Sequence, residues 1–138
     1  MHDNYSKMET EKTNPRTQQI DLCGTEEMVA MINREDALVA DAVREAIPQI
    51  ARAVDCMFET LKNGGHVLYV GAGTSGRLGV LDASECMPTF GVGSDMIQAC
   101  IAGGDTALRF PVEGCEDNAQ QGREEIAAHG IGAGDVVI

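Results

Sequence analysis

From Val67 to Glu85 the chain reads VLYVGAGTSGRLGVLDASE. An apolar run enters a glycine loop, two hydroxyls follow, and a helix-like stretch ends on a carboxylate. Gly71-Ala72-Gly73-Thr74-Ser75-Gly76 fits the pattern Gly-x-Gly-x-x-Gly. Glycines let the main chain approach a ligand closely, and free N–H groups at a helix start attract an anion. The Thr74 and Ser75 hydroxyls add two donors. Three readings follow from the spacing. A phosphate monoester makes use of the paired hydroxyls. A dinucleotide pyrophosphate also wants an acid at the end of the second strand, where Asp105 lies. A tight strand-to-helix turn needs no ligand at all.

Such a loop needs a strand before it and a helix after it. His66–Val70 is short, apolar and β-prone, which predicts a buried strand. Ser75 to about Cys86 reads as a helix. Met96–Ala102 reads as a second strand, followed by Gly103-Gly104. Thr106–Val112 suits a short helical turn, weakened by Pro111. Glu116–His129 reads as a helix ending at Gly130, and Asp135–Ile138 as a third strand. The alternation predicts an α/β fold with a parallel sheet covered by helices. The last residues, GDVVI, stop inside a strand. Three parallel strands leave open edges, so the chain reads as the front part of something longer.

Upstream, residues 1–20 are polar and contain Pro15, which suits a flexible or extended arm. Thr25 before Glu26 and Glu27 predicts an N-cap with acids in the first turn, opening a short helix to about Ile32. Val39, Val43, Ile47, Ile50, Val54, Met57 and Leu61 then recur at steps of three and four, one apolar stripe on a helix. Pro48 should kink or split that helix, and Asn63-Gly64-Gly65 should end it. Core or partner packing is the expected use of the stripe. The division is thus an arm over 1–20, helices over 21–65 and a sheet domain from 66 to 138.

Twenty-two acidic against ten basic residues leave a net charge of −12. That surface repels nucleic acid and anionic membranes, so neither is an expected partner. An anionic ligand must be held by local donors against this field, a task the glycine loop suits. Apolar residues make up 43% of the chain, enough for a core, and with aromatics at 4% that core must be aliphatic. The five cysteines form no Cys-x-x-Cys pair, which predicts reduced, mostly buried thiols. His2, His66 and His129 share no ligand-like spacing, so no metal site is expected. Met1–Asp21 is polar, unlike a secretory leader, and no apolar run approaches the ~18 residues that cross a bilayer. A cytoplasmic location is expected.

The segment GAGTSGRLGVLDASECMPTFGV, Gly71–Val92, closely resembles the signature of the N-acetylmuramic acid 6-phosphate etherases, sugar-isomerase (SIS) domain enzymes of bacterial cell-wall recycling. The likeness extends back through TEKTNPRTQQID (Thr10–Asp21) and MINRED (Met31–Asp36). It extends forward through IAGG (Ile101–Gly104), VEGCED (Val112–Asp117) and GDVVI (Gly134–Ile138). Glucokinase regulatory protein shares a related loop but binds sugar phosphates without cleaving them. The resemblance implies the N-terminal part of a SIS domain, a sheet between helical layers. It implies cleavage of the lactyl ether at C3 of N-acetylmuramic acid 6-phosphate. Elimination releases D-lactate, and hydration gives N-acetylglucosamine 6-phosphate. No cofactor or metal is implied, and a homodimer is.

Carried over one position at a time, the Glu of ASE falls on Glu85, as proton donor to lactate and then water-activating base. The second Glu of EGCED falls on Glu116, as base at C2. Gly73, Thr74, Ser75 and Gly76 fall on the phosphate loop. Without the resemblance, Glu85 reads as a solvated charge and Glu116 as a charge cap on its helix. Ser75 and Glu85 would lie about 15 Å apart on an ideal helix. Glu85 therefore reaches the phosphate's sugar only if that helix is short or bent, or it serves the partner subunit's site. Arg77 suits phosphate support or a surface ion pair, and Arg109 is a second nearby cation. Asp82, one turn before Glu85, suits a like-charge influence on it or a solvated position. Two departures stand out. Met87-Pro88 replaces the family's Pro-Pro, and the family's members are longer. The phosphate pocket would be half built, with little or no etherase activity from this chain alone. A silent sugar-phosphate binder and a dinucleotide-binding domain are the alternatives.

Overall fold

The computed structural model describes residues 12–138. They fall into two compact units, one ending at Ile50 and one spanning Ala51–Ile138. The expected arm lies partly outside the described residues, since these begin at Lys12. Turns and bends carry the chain through residues 15–19, and a single 3-10 turn covers Ile20–Leu22. Arg16 forks onto Glu35, with Nε and Nη2 each donating to one carboxylate oxygen at 2.6 Å. Asn14 Nδ2 adds a third bond at 2.7 Å. Hydrogen bonds from Arg16 and then Asn14 pull the Glu35 carboxyl down to about 2.

The two expected N-terminal helices are one. Helix α1 runs unbroken over Thr25–Lys62. The linking residues Asn33–Leu38 contain no Gly or Pro to stop it, and Pro48 removes only a single donor from a long ladder. Thr25 is inside the helix rather than its cap: the first bond runs from Met28 N–H to the Gly24 carbonyl at 2.9 Å. The predicted stop holds. Gly64 N–H reaches the Leu61 carbonyl and Gly65 N–H the Thr60 carbonyl, with Gly64 at φ +81°, a Schellman ending. Most of the apolar stripe does not pack into a core, and only its last members, Met57 and Leu61, are half-buried. Val39, Val43, Ile47, Ile50 and Val54 are each between 45% and 60% exposed.

In the second unit, β1 (Val67–Gly71) leads into α2 (Gly73–Phe90), then β2 (Ile97–Ile101) and α3 (Gly104–Arg109). After these, α4 (Ala119–Ala128) precedes β3 (Val136–Val137). The sheet is parallel in the order β2-β1-β3, as the alternation predicted. Being central, β1 is flanked on both edges, and its Val67 and Leu68 are fully buried. Cys86, Ile101 and Ala107 complete a core smaller than the composition suggested. The thiols are not mostly buried either: of five free cysteines only Cys86 is.

Three helix boundaries differ from expectation. Helix α2 begins at the glycine loop itself and passes Pro88 to stop at Gly91, whose φ of +69° lets its N–H close onto the Met87 carbonyl. Helix α3 begins two residues early, on Gly104. Helix α4 begins only at Ala119, because the Asn118 side chain caps it, accepting from Gln121 N–H at 3.0 Å. Glu116 is therefore in the preceding turn and not a charge cap in the helix. Asp135 staples β3 to β1: its Oδ1 accepts from the His66 main-chain N–H and its Oδ2 from Gly132 N–H, both at 2.7 Å. Among the described residues no helix is long and apolar enough to cross a membrane.

Candidate functional site

The glycine loop works first as a packing device. A Cβ on Gly76 would meet Ile101 Cγ1 at 2.7 Å and the Gly71 carbonyl oxygen at 2.8 Å. The first turn of α2 thus rides directly on β1 and β2. Its first helical bond runs from Gly76 N–H to Ala72 O. The amides of Gly73, Thr74 and Ser75 are then left without an acceptor in the helix, at the positive end of its dipole. Gly73 takes φ +53°, and all three residues are exposed. That is donor chemistry suited to an anion.

The C-terminal ends of β1 and β2 open onto a cleft of about 220 Å³. Ligands of open parallel sheets bind in this location. Val70, Gly71 and Ala72 form one wall, and Glu116 and Glu125 bring two carboxylates. Ser75 and Gly76 line a different groove, with Tyr69, Asp82 and Ile138; the two depressions share Val70 and Gly71. The structure thus brings Glu116 to the start of the loop, while Ser75 faces the groove on the other side of β1.

Glu85 lines neither depression and is exposed. Because α2 is continuous from Gly73 to Phe90, Glu85 lies about 15 Å along it from Ser75. The helix does not shorten to bring them together. Burial, aided by the neighbouring Asp82 carboxylate, pushes the Tyr69 phenol up to about 12. Among the described residues Arg77 forms no ion pair. Its Nη2 donates to the Ala107 carbonyl at 2.6 Å and its Nε to Leu108 at 3.2 Å, satisfying the end of α3. Asp105, the acid a dinucleotide would need, sits in the first turn of α3 and lines a hollow with Arg109, apart from the cleft.

Sequence reasoning missed a third group. Cys100 on β2, Glu125 on α4 and His129 at the C-terminal cap of α4 each offer a ligating atom within 4.8 Å of the other two. Burial pushes the Cys100 thiol up, and the Glu125 carboxylate adds to this. The one legible signal was the four-residue spacing of Glu125 and His129, which shares a helix face. Nothing in the sequence places Cys100 beside them.

Residues 49–138 match the family model described as glucokinase regulatory protein N-terminal SIS domain. The chain is also 50% identical, over 96% of its length, to an N-acetylmuramic acid 6-phosphate etherase of Actinobacillus pleuropneumoniae serotype 7, covering 44% of that protein. Likeness to the proteins of the same name from Glaesserella parasuis (50% identity; 94% of this chain, 42% of that one) and Enterobacter sp. strain 638 (48%; 98% and 46%) is similar. The chain spans less than half the length of these curated relatives. With a parallel α/β sheet, a glycine loop at the end of its central strand and a matching model over most of its length, this chain belongs to the SIS-domain family of glucokinase regulatory protein.

Proposed function

We propose that this chain supplies the N-terminal part of an enzyme that cleaves the D-lactyl ether of N-acetylmuramic acid 6-phosphate. The observation that carries the reading is near-50% identity, along almost the whole chain, to proteins named for that reaction. The geometry is compatible with it. The free amides of Gly73, Thr74 and Ser75 and the Thr74 and Ser75 hydroxyls hold the phosphate at the start of α2, while Gly76 lets that turn pack close to the sheet. Glu116, in the cleft at the strand ends, takes the proton from C2 of the open-chain sugar, which the adjacent aldehyde acidifies. Electrons flow into a C2–C3 double bond as the C3–oxygen bond breaks. Glu85 protonates the departing lactate oxygen and then activates the water that adds at C3. The length of α2 favours Glu85 acting in the partner's site of a homodimer. A cytoplasmic location suits a phosphorylated sugar substrate.

The family description favours one other reading, a sugar-phosphate-binding module without chemistry. The test uses the chain alone and a chimera carrying these residues on the remaining length of the Enterobacter relative. Each is given N-acetylmuramic acid 6-phosphate, and D-lactate release is followed. The chimera should release D-lactate and the chain alone little or none. In D2O, Glu116→Gln should abolish solvent exchange at C2, whereas Glu85→Gln should keep that exchange and lose lactate release. A folded chimera that binds the substrate and releases nothing establishes the binding-module reading instead.

A further inference from the structure

We propose that Cys100, Glu125 and His129 form a site for a zinc-type divalent transition-metal ion. Their three ligating atoms lie within 4.8 Å of one another, close enough for small rotamer changes to converge on one ion. Glu125 lies in the last turn of α4 and His129 caps its C-terminal end, one turn on, and Cys100 faces them from β2. The imidazole is already oriented. Its Nδ1 lies 2.8 Å from Gln98 Oε1, an atom that only accepts, so Nδ1 is the donor in this contact and Nε2 is the nitrogen left for a metal. The Gln98 amide is itself held, its Nε2 donating to the Asp95 carbonyl at 3.0 Å. Supporting bonds of this kind fix the tautomer of metal-binding histidines.

The donor set identifies the class of ion. Thiolate and imidazole favour zinc and its neighbours over magnesium or calcium, which prefer oxygen ligands alone. Three protein ligands leave a fourth position for water. On binding, the Cys100 S–H bond breaks and a sulfur–metal bond forms. The proton leaves to solvent, and no electron is transferred. All three side chains are half-buried. Cys100 and Glu125 also line the cleft, so the ion would tie β2 to α4 at the cleft wall. The inference does not rest on the ether-cleavage reading.

The test must separate this site from adventitious binding to a chain of net charge −12. The chain is titrated with cobalt(II) chloride alone under a phosphine reductant, and the thiolate-to-cobalt charge-transfer band is followed. A band saturating at one equivalent and displaced by zinc is expected. Cys100→Ser should abolish it, and His129→Gln and Glu125→Gln should each weaken binding roughly tenfold or more. Cys115→Ser is the control, since Cys115 also lines the cleft, and should leave the band intact. Circular dichroism confirms that each variant folds; if Cys100→Ser does not, the His129 and Glu125 variants decide. No band, a band lost on Cys115→Ser but kept on Cys100→Ser, or unchanged affinity in both the Glu125 and His129 variants overturns the proposal.

Discussion

Replacing Gly76 by Ala tests how the phosphate loop is built. The added methyl would sit 2.7 Å from Ile101 Cγ1 and within 2.9 Å of the Gly71 carbonyl group. Two of these contacts are with main chain, which cannot swing aside as a side chain would. Overpacking of this kind costs about 1–3 kcal/mol. Against it stands alanine's better helix propensity, at most about 1 kcal/mol. The net loss is about 1–2 kcal/mol, equivalent to a melting temperature lowered by roughly 3–10 °C for a chain of this length. Gly122→Ala is the matched comparison. It lies inside α4, has no positive φ, and its added methyl meets nothing within 4 Å. There the same chemical change should stabilise by about 0.5–1 kcal/mol. Thermal unfolding followed by far-ultraviolet circular dichroism reads both. If Gly76→Ala melts at or above the wild-type temperature, the close packing of α2 on β1 and β2 is refuted.

Other perturbations have equally definite signs. Arg77→Met removes two bonds to the end of α3, one of them at 2.6 Å, and should cost about 1–2 kcal/mol in a denaturant titration. An unchanged midpoint would mean that those carbonyls find water instead. Asn118→Ala should cost about 1 kcal/mol, while Asn118→Asp should keep most of the cap. Glu35, depressed from 4.5 to about 2, contributes stability that is fully present above pH 4.5 and lost as pH falls through 2. Glu35→Gln should therefore be less stable than wild type at neutral pH, with the gap closing as pH falls from 4.5 through 2; a constant gap at every pH contradicts the Arg16 pairing. Tyr69 has the opposite sign, because its phenol is raised from 10 to about 12. Stability tied to it should hold below pH 10 and fall above, and Tyr69→Phe should flatten that alkaline decline.

Local rules made much of this protein legible before folding. Gly64 after the apolar stripe, and the glycines after an apolar run at Val67, state a helix end and a strand-to-helix turn through main-chain chemistry alone. Alternation of strand and helix forces a parallel sheet, because each crossover must return in the same direction. Tertiary structure alone decided the rest. Arg77 could not be read as a cap for α3, since its acceptors are thirty-odd residues away. The gap between Glu85 and the phosphate loop depended on whether α2 stayed straight and whole past Pro88. Cys100 meets Glu125 and His129 only because β2 lies beside α4. Short-range sequence encodes dihedrals and caps, whereas such convergence depends on which faces pack together, and no spacing along the chain records that.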